Sequence, residues 1–123
     1  MFADANIPIR YVINNDEIMA AKADEAVNSG LLFVLPEVFA EVVYVLTKVY
    51  GIERFDVADS MIELLDFVSI TATEIMKTAF QNYREINLDF VDCILAISDN
   101  QQILSFDKKL NNFIARKKAE NTL

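Results

Sequence analysis

The sequence predicts an α/β fold: a three-layer α/β/α sandwich, with helices on both faces of a central, mostly parallel sheet of roughly 4–5 strands. Three observations carry that expectation. Short apolar runs (Met1–Ala3, Leu31–Leu35, Phe67–Ile70 and Ile103–Phe106) alternate with longer stretches of helical periodicity. The first and last of these runs each stop at an aspartate, Asp4 and Asp107, with helix-forming sequence close behind. The chain also has only 2 Gly and 2 Pro and is 54% hydrophobic, which favours regular elements around a core over disorder.

In order, Met1–Ala3 is the first and central strand, delivering Asp4 to the carboxyl edge of the sheet, where α/β folds place ligands. Asn6 caps a short helix that tolerates Pro8 in its early turn. Asn14-Asn15-Asp16 is a turn, and a second helix runs from about Asp16 to Asn28, closed by Ser29-Gly30. Leu31–Leu35 is the second strand. Pro36 opens and Gly51 closes a third helix whose valines, Phe39, Tyr44 and Leu46 leave almost no polar face, so it is expected to be buried on more than one side. A fourth helix spans about Arg54 to Asp66, with Phe55, Ala58, Met61, Ile62 and Leu65 at helical spacing, and Phe67–Ile70 is the third strand. Thr71 and Glu74 have capping-box spacing and start a fifth helix, with Ile75, Ala79, Phe80 and Tyr83 facing inward. Asn87-Leu88-Asp89 starts a sixth. Ile103–Phe106 is the fourth strand. A last helix carries Leu110, Phe113 and Ile114, after which Arg116–Leu123 is polar and expected to fray.

The 123 residues suit one domain, 1–114, with a polar C-terminal tail over 115–123. No apolar run approaches the ~20 residues that cross a bilayer, so no membrane partner is expected. The N-terminus has no basic region before its apolar residues, unlike a signal peptide. The single cysteine, Cys93, fits a reducing cytoplasm. The net charge of -8 opposes a simple electrostatic nucleic-acid binder. The chain has no histidine, which excludes Ser-His-Asp and Cys-His catalysis and imidazole-ligated zinc. Asp and Glu remain, and hard oxygen ligands select Mg²⁺ or Mn²⁺.

Four acids have reason to converge at the sheet edge. Asp4 reads equally as a turn or cap residue and as a metal ligand. Glu41 lies a full turn inside the apolar third helix, where a carboxylate is costly to desolvate unless a cation or hydrogen bonds meet it. Glu37 lies in the first turn, which the helix dipole already accommodates. Asp89 and Asp92 share a helical face. Asp89 reads as a cap or an accessory group, and Asp92, one turn in, as the stronger ligand candidate. Asp107 reads as a cap and a ligand together, with Ser105 placed to hydrogen-bond a ligand or water. A pocket of four carboxylates repels itself unless some are protonated or a divalent cation binds. Such an ion can activate water and offset the charge that builds on a phosphodiester.

The same stretches resemble the motifs of a known family. Phe2-Ala3-Asp4-Ala5-Asn6 resembles the opening strand of PIN domains. Pro36-Glu37-Val38-Phe39-Ala40-Glu41-Val42 resembles their third-helix motif, and Leu88 to Ala96 their third acidic motif. Ile103-Leu104-Ser105-Phe106-Asp107 looks like the fourth. The order and size match VapC-like toxins, the ribonucleases of type II toxin-antitoxin pairs. The resemblance implies a Mg²⁺- or Mn²⁺-dependent endoribonuclease acting on RNA, with Asp4, Glu41, Asp92 and Asp107 as catalytic metal ligands. Asp89 matches a less constant acid, and Asn6 the polar residue that orients the first aspartate. It also implies a cytoplasmic homodimer neutralised by a VapB-like antitoxin. The family usually has a hydroxyl residue where this chain has Ala5, which removes one supporting hydrogen bond. That departure, with the acidic surface, motivates an alternative: a catalytically weak or silent PIN-like dimer acting as a binding partner. RNA would be held by local groups such as Arg10, Arg84, Lys108 and Lys109, while Arg116-Lys117-Lys118 reads as a solvated tail.

Overall fold

The computed structural model describes residues 1–68, 73–97 and 106–121, with the side chains of Thr73 and Asn121 excepted. Seven helices make up most of it: α1 (Asn6–Val12), α2 (Glu17–Asn28), α3 (Pro36–Lys48), α4 (Arg54–Leu64), α5 (Thr73–Glu85), α6 (Phe90–Ala96) and α7 (Lys108–Asn121). None of them is long and apolar enough to cross a membrane.

The expected α/β sandwich with its parallel sheet of 4–5 strands is not what the described residues form. They contain no strand, and the extended pairing reduces to one parallel bridge between Phe2 and Phe33. Ala3 N–H donates to the Phe33 carbonyl at 3.0 Å and Phe33 N–H to the Met1 carbonyl at 2.6 Å. The reason is local. Beyond Ala3 the chain turns at once into α1, and Leu35 is already the residue that opens α3, so neither apolar run has room for a longer ladder. Phe67, read as the start of a third strand, instead closes α4, its N–H donating to the Leu64 carbonyl at 2.9 Å. The rest of that strand (69–70), the Thr71 cap and the fourth strand up to 105 lie outside the described residues.

The helix boundaries follow capping chemistry. Asp16 caps α2, its carboxylate accepting the N–H groups of Ile18 and Met19, both at 3.1 Å. Gly30 and Gly51 follow the ends of α2 and α3 at φ of 74° and 67°, left-handed conformations that glycine adopts without a Cβ clash. Asn6 is the first residue of α1, not its cap; Ala5 holds the cap position and makes no side-chain bond. α7 continues through Arg116 to Asn121, where fraying was expected: leucine, phenylalanine and isoleucine give its first half an inner face, and Lys117–Glu120 pairs at 3.4 Å in its second.

α3 is the hub, packing against α1, α4 and α6. Its Phe39, Val42, Val43 and Leu46 are buried. It is not covered all round, however. Glu37, Glu41, Tyr44 and Lys48, spaced 4, 3 and 4 residues apart, form an exposed stripe. An aromatic chain ties the hub to its neighbours: Phe39 meets Phe80 of α5 edge-on, and Phe80 stacks on Phe90 of α6 with centroids 4.3 Å apart.

Candidate active site

Asp4 emerges from the Phe2–Phe33 bridge into solvent. One of its carboxylate oxygens accepts the Asn6 N–H at 3.0 Å, the side-chain turn that folds the chain into α1. Asn6 is also exposed, beside it. Because α1 packs on α3, this corner faces the middle of α3. Asp4, Asn6, Arg10, Glu41 and Tyr50 line one cleft there, of about 230 Å³. Two acids far apart in sequence thus meet. Glu41 is exposed on the α3 stripe, so the solvated position holds and the desolvation argument from its apolar neighbours does not. Arg10 brings a cation into the same cleft, with its guanidinium donating to Asn15 Oδ1 at 2.7 Å.

The other acids gather elsewhere. Asp92 is half-buried in the first turn of α6. Burial pushes its carboxyl above the usual aspartate value, and the charges of Asp89 and Asp107 push it further in the same direction. Asp89 holds the N-cap position of α6, yet its side chain makes no capping bond, which leaves the carboxylate to the cleft. Asp107 does cap: its Oδ1 accepts the Leu110 N–H of α7 at 3.2 Å. Asp89 and Asp92 line a second cleft, of about 580 Å³, with Tyr44, Thr47, Lys48 and Arg54. α3 contributes Glu41 to the first cleft and Tyr44 and Thr47 to the second. Ser105 lies outside the described residues.

So the acids form two groups, Asp4 with Glu41 and Asp92 with Asp89 and Asp107. Among the described residues no three come together as a ready-made metal set. In kind, the donors fit a hard divalent cation: all are carboxylate or amide oxygens, and such a cation would offset the Asp89 and Asp107 charges that add to the effect of burial on Asp92.

Sequence reasoning missed Arg54. Its Nη1 donates to the carbonyls of Tyr83, Ile86 and Leu88 at 3.0, 3.0 and 2.7 Å, and Nη2 to Asn87 Oδ1 at 3.4 Å. The guanidinium also lies 4.1 Å over the Tyr83 ring. One side chain therefore fixes the end of α5 and the turn that delivers Asp89 and Asp92. A lone arginine opening a helix carries no sequence signal for that task. Cys93, one residue past Asp92, is buried, and its thiol is pushed up to about 11 by burial.

Compared with known proteins, residues 1–115 match the family model described as PIN domain. No curated protein and no solved structure matches the chain. PIN domains are normally α/β, generally metal-dependent nucleases, and the described residues here differ in holding helices and one parallel bridge.

Proposed function

The chain belongs to the PIN domain family, and on that premise we propose that it is a Mg²⁺- or Mn²⁺-dependent endoribonuclease, a VapC-like toxin that hydrolyses RNA phosphodiester bonds. The observation that carries the reading is the meeting of Asp4, Asn6 and Glu41 in one cleft, because all three occupy positions that match the family's motifs. Asp4 and Glu41 would hold the ion, with the Asn6 backbone N–H orienting the Asp4 carboxylate. Asp92 and Asp107 would complete the acidic set, and Asp89 would act as an accessory acid. When bound, the ion supplies Lewis acidity, which lowers the pKa of water and offsets charge on the phosphoryl oxygens. Arg10 is placed to meet a phosphate at the mouth of the cleft.

Several features support the remaining parts of the reading. Phe2, Leu31, Tyr44 and Val49 are exposed apolar residues, as a homodimer face or an antitoxin seat requires. A single buried free thiol suits a reducing cytoplasm. In this reading the domain spans 1–114, and 115–123, helical as far as Asn121, extends from it.

The test is cleavage of a mixed structured and single-stranded RNA pool with Mn²⁺, Mg²⁺ or chelator, beside Asp4→Asn and Glu41→Gln. Metal-dependent cuts that vanish in both variants support the assignment; variants that cut as well as the parent end it. One observation favours a second reading, a catalytically silent dimer that acts as a binding partner. Ala5 sits in the core at 7% exposure, leaving no hydroxyl beside Asp4. Growth arrest on expression that Asp4→Asn relieves decides for the enzyme.

A further inference from the structure

The turn at 86–88 and α7 enclose a groove of about 360 Å³ that belongs to neither acidic cleft. Its walls are apolar: Ile86 and Leu88 on one side, Phe113 on the other. Lys109, Asn112 and Arg116 stand along the α7 wall. With Phe113 they sit at helical spacings of 3, 1 and 3, and so share one face. Among the described residues neither Lys109 nor Arg116 has an ion-pair partner, whereas Lys77, Arg84 and Lys117 all do. Both are exposed, on a chain whose net charge is -8. The Arg116 guanidinium lies 5.3 Å over the Phe113 ring.

The position of the groove matters as much as its lining. One wall ends at Leu88, next to Asp89. The other begins at Lys109, two residues after Asp107. α6 and α7 pack together, so the groove opens beside the Asp89, Asp92 and Asp107 group. The 86–88 wall is rigid, because Arg54 holds the carbonyls of Ile86 and Leu88 from the other side.

We propose that this groove is a single-stranded RNA subsite, which takes the nucleotides that flank the scissile phosphate. The proposal rests on the nuclease reading and deepens it. Lys109 and Arg116 meet backbone phosphates, and a base packs over the partly exposed Ile86, with the Asn112 amide at its edge and the buried Phe113 and Leu88 beneath. Spaced cations along a groove are the electrostatic part of the chemistry by which proteins track single strands.

The experiment measures binding of a fluorescein-labelled single-stranded RNA of mixed sequence in chelator, which separates binding from cutting. Lys109→Glu and Arg116→Glu should each weaken Kd about tenfold at low salt, and each should lower the slope of log K against log salt by about 0.7. Lys118→Glu makes the same change in net charge on the same helix but outside the groove, and should leave Kd within about twofold of the parent. Lys109→Arg should bind as the parent does, and far-UV circular dichroism should show all variants helical. In Mn²⁺, the two groove variants should raise KM and leave kcat unchanged. An equal loss with Lys118→Glu would assign the effect to the field of the whole helix and overturn the subsite. Groove variants that bind RNA like the parent but lose a poly-glutamate peptide would reassign the groove to an acidic protein segment, and a fall in light-scattering mass would reassign it to a second copy. A parent that cleaves RNA with groove variants of unchanged KM removes the subsite and leaves the nuclease standing. A parent that neither binds nor cuts removes both.

Discussion

Replacing Arg54 with methionine removes the cation and keeps an unbranched apolar stem of similar reach. The structure sets the magnitude. Nη1 carries two hydrogens, so of its three carbonyl acceptors two are bonded at any instant. Charge-assisted bonds contribute about 1.5–3 kcal/mol each. The contact with the Tyr83 ring adds about 0.5–1 kcal/mol. Arg54 is only half-buried, which favours the low end, and the expected loss is about 3.5 kcal/mol. For a domain of this size that lowers Tm by on the order of 10 °C. Arg54→Lys keeps the charge but has no planar fork to span several carbonyls and should recover no more than about half of the loss. Urea unfolding followed by far-UV circular dichroism measures both. A loss below about 1 kcal/mol for methionine, or full recovery with lysine, would refute the clamp and leave Arg54 a surface charge.

Other expectations follow from single groups. The Asp92 carboxyl is raised, so the folded state favours its protonated form, and stability falls as pH climbs from the ordinary aspartate pKa through the raised one. In chelator, Asp92→Asn should therefore raise Tm at neutral pH, with the gain gone below about pH 3.8, the unperturbed value; a neutral-pH Tm that fails to rise contradicts the cause assigned. Ala5→Ser restores a hydroxyl beside Asp4 and should increase Mn²⁺-dependent cleavage several-fold; an unchanged rate means that hydroxyl does not limit the site. The buried Cys93 thiol, pushed up to about 11, should ignore a disulfide reagent at mildly alkaline pH in the native protein and react fully in urea.

The parts of the molecule that were legible in the sequence are those set by local chemistry. The α2 cap at Asp16, the glycine stops at Gly30 and Gly51, and the Asp107 cap of α7 all follow from residues within one turn. The resemblance to the family's motifs links Asp4, Asn6 and Glu41, and all three line one cleft. The sheet was misread because a run of three to five apolar residues serves as well for a bridge or a helix end as for a strand; Phe67 shows this directly. Glu41 was misjudged because its neighbours at i±1 point elsewhere. Its own face continues to Glu37, Tyr44 and Lys48 and is wet. Asn6 reads as a cap from its residue type alone, yet the Asp4 carboxylate two residues earlier accepts its backbone N–H. Arg54 acts on carbonyls that only the tertiary fold brings to it.

The aromatic chain through the core has a spectroscopic consequence. The protein has no tryptophan, so its near-ultraviolet optical activity arises from 4 Tyr and 9 Phe. Phe39, Phe80, Phe90 and Tyr83 meet one after the next in a fixed, asymmetric chain, the condition under which aromatic rings give strong near-ultraviolet bands. These rings span α3, α5 and α6, and Tyr83 and Phe90 line the cleft that holds Asp89 and Asp92. The molecule thus carries an unlabelled optical reporter where these three helices pack. A change in the angle of α6 against α3 would register there as a change in band shape, with the far-ultraviolet helix signal unaltered.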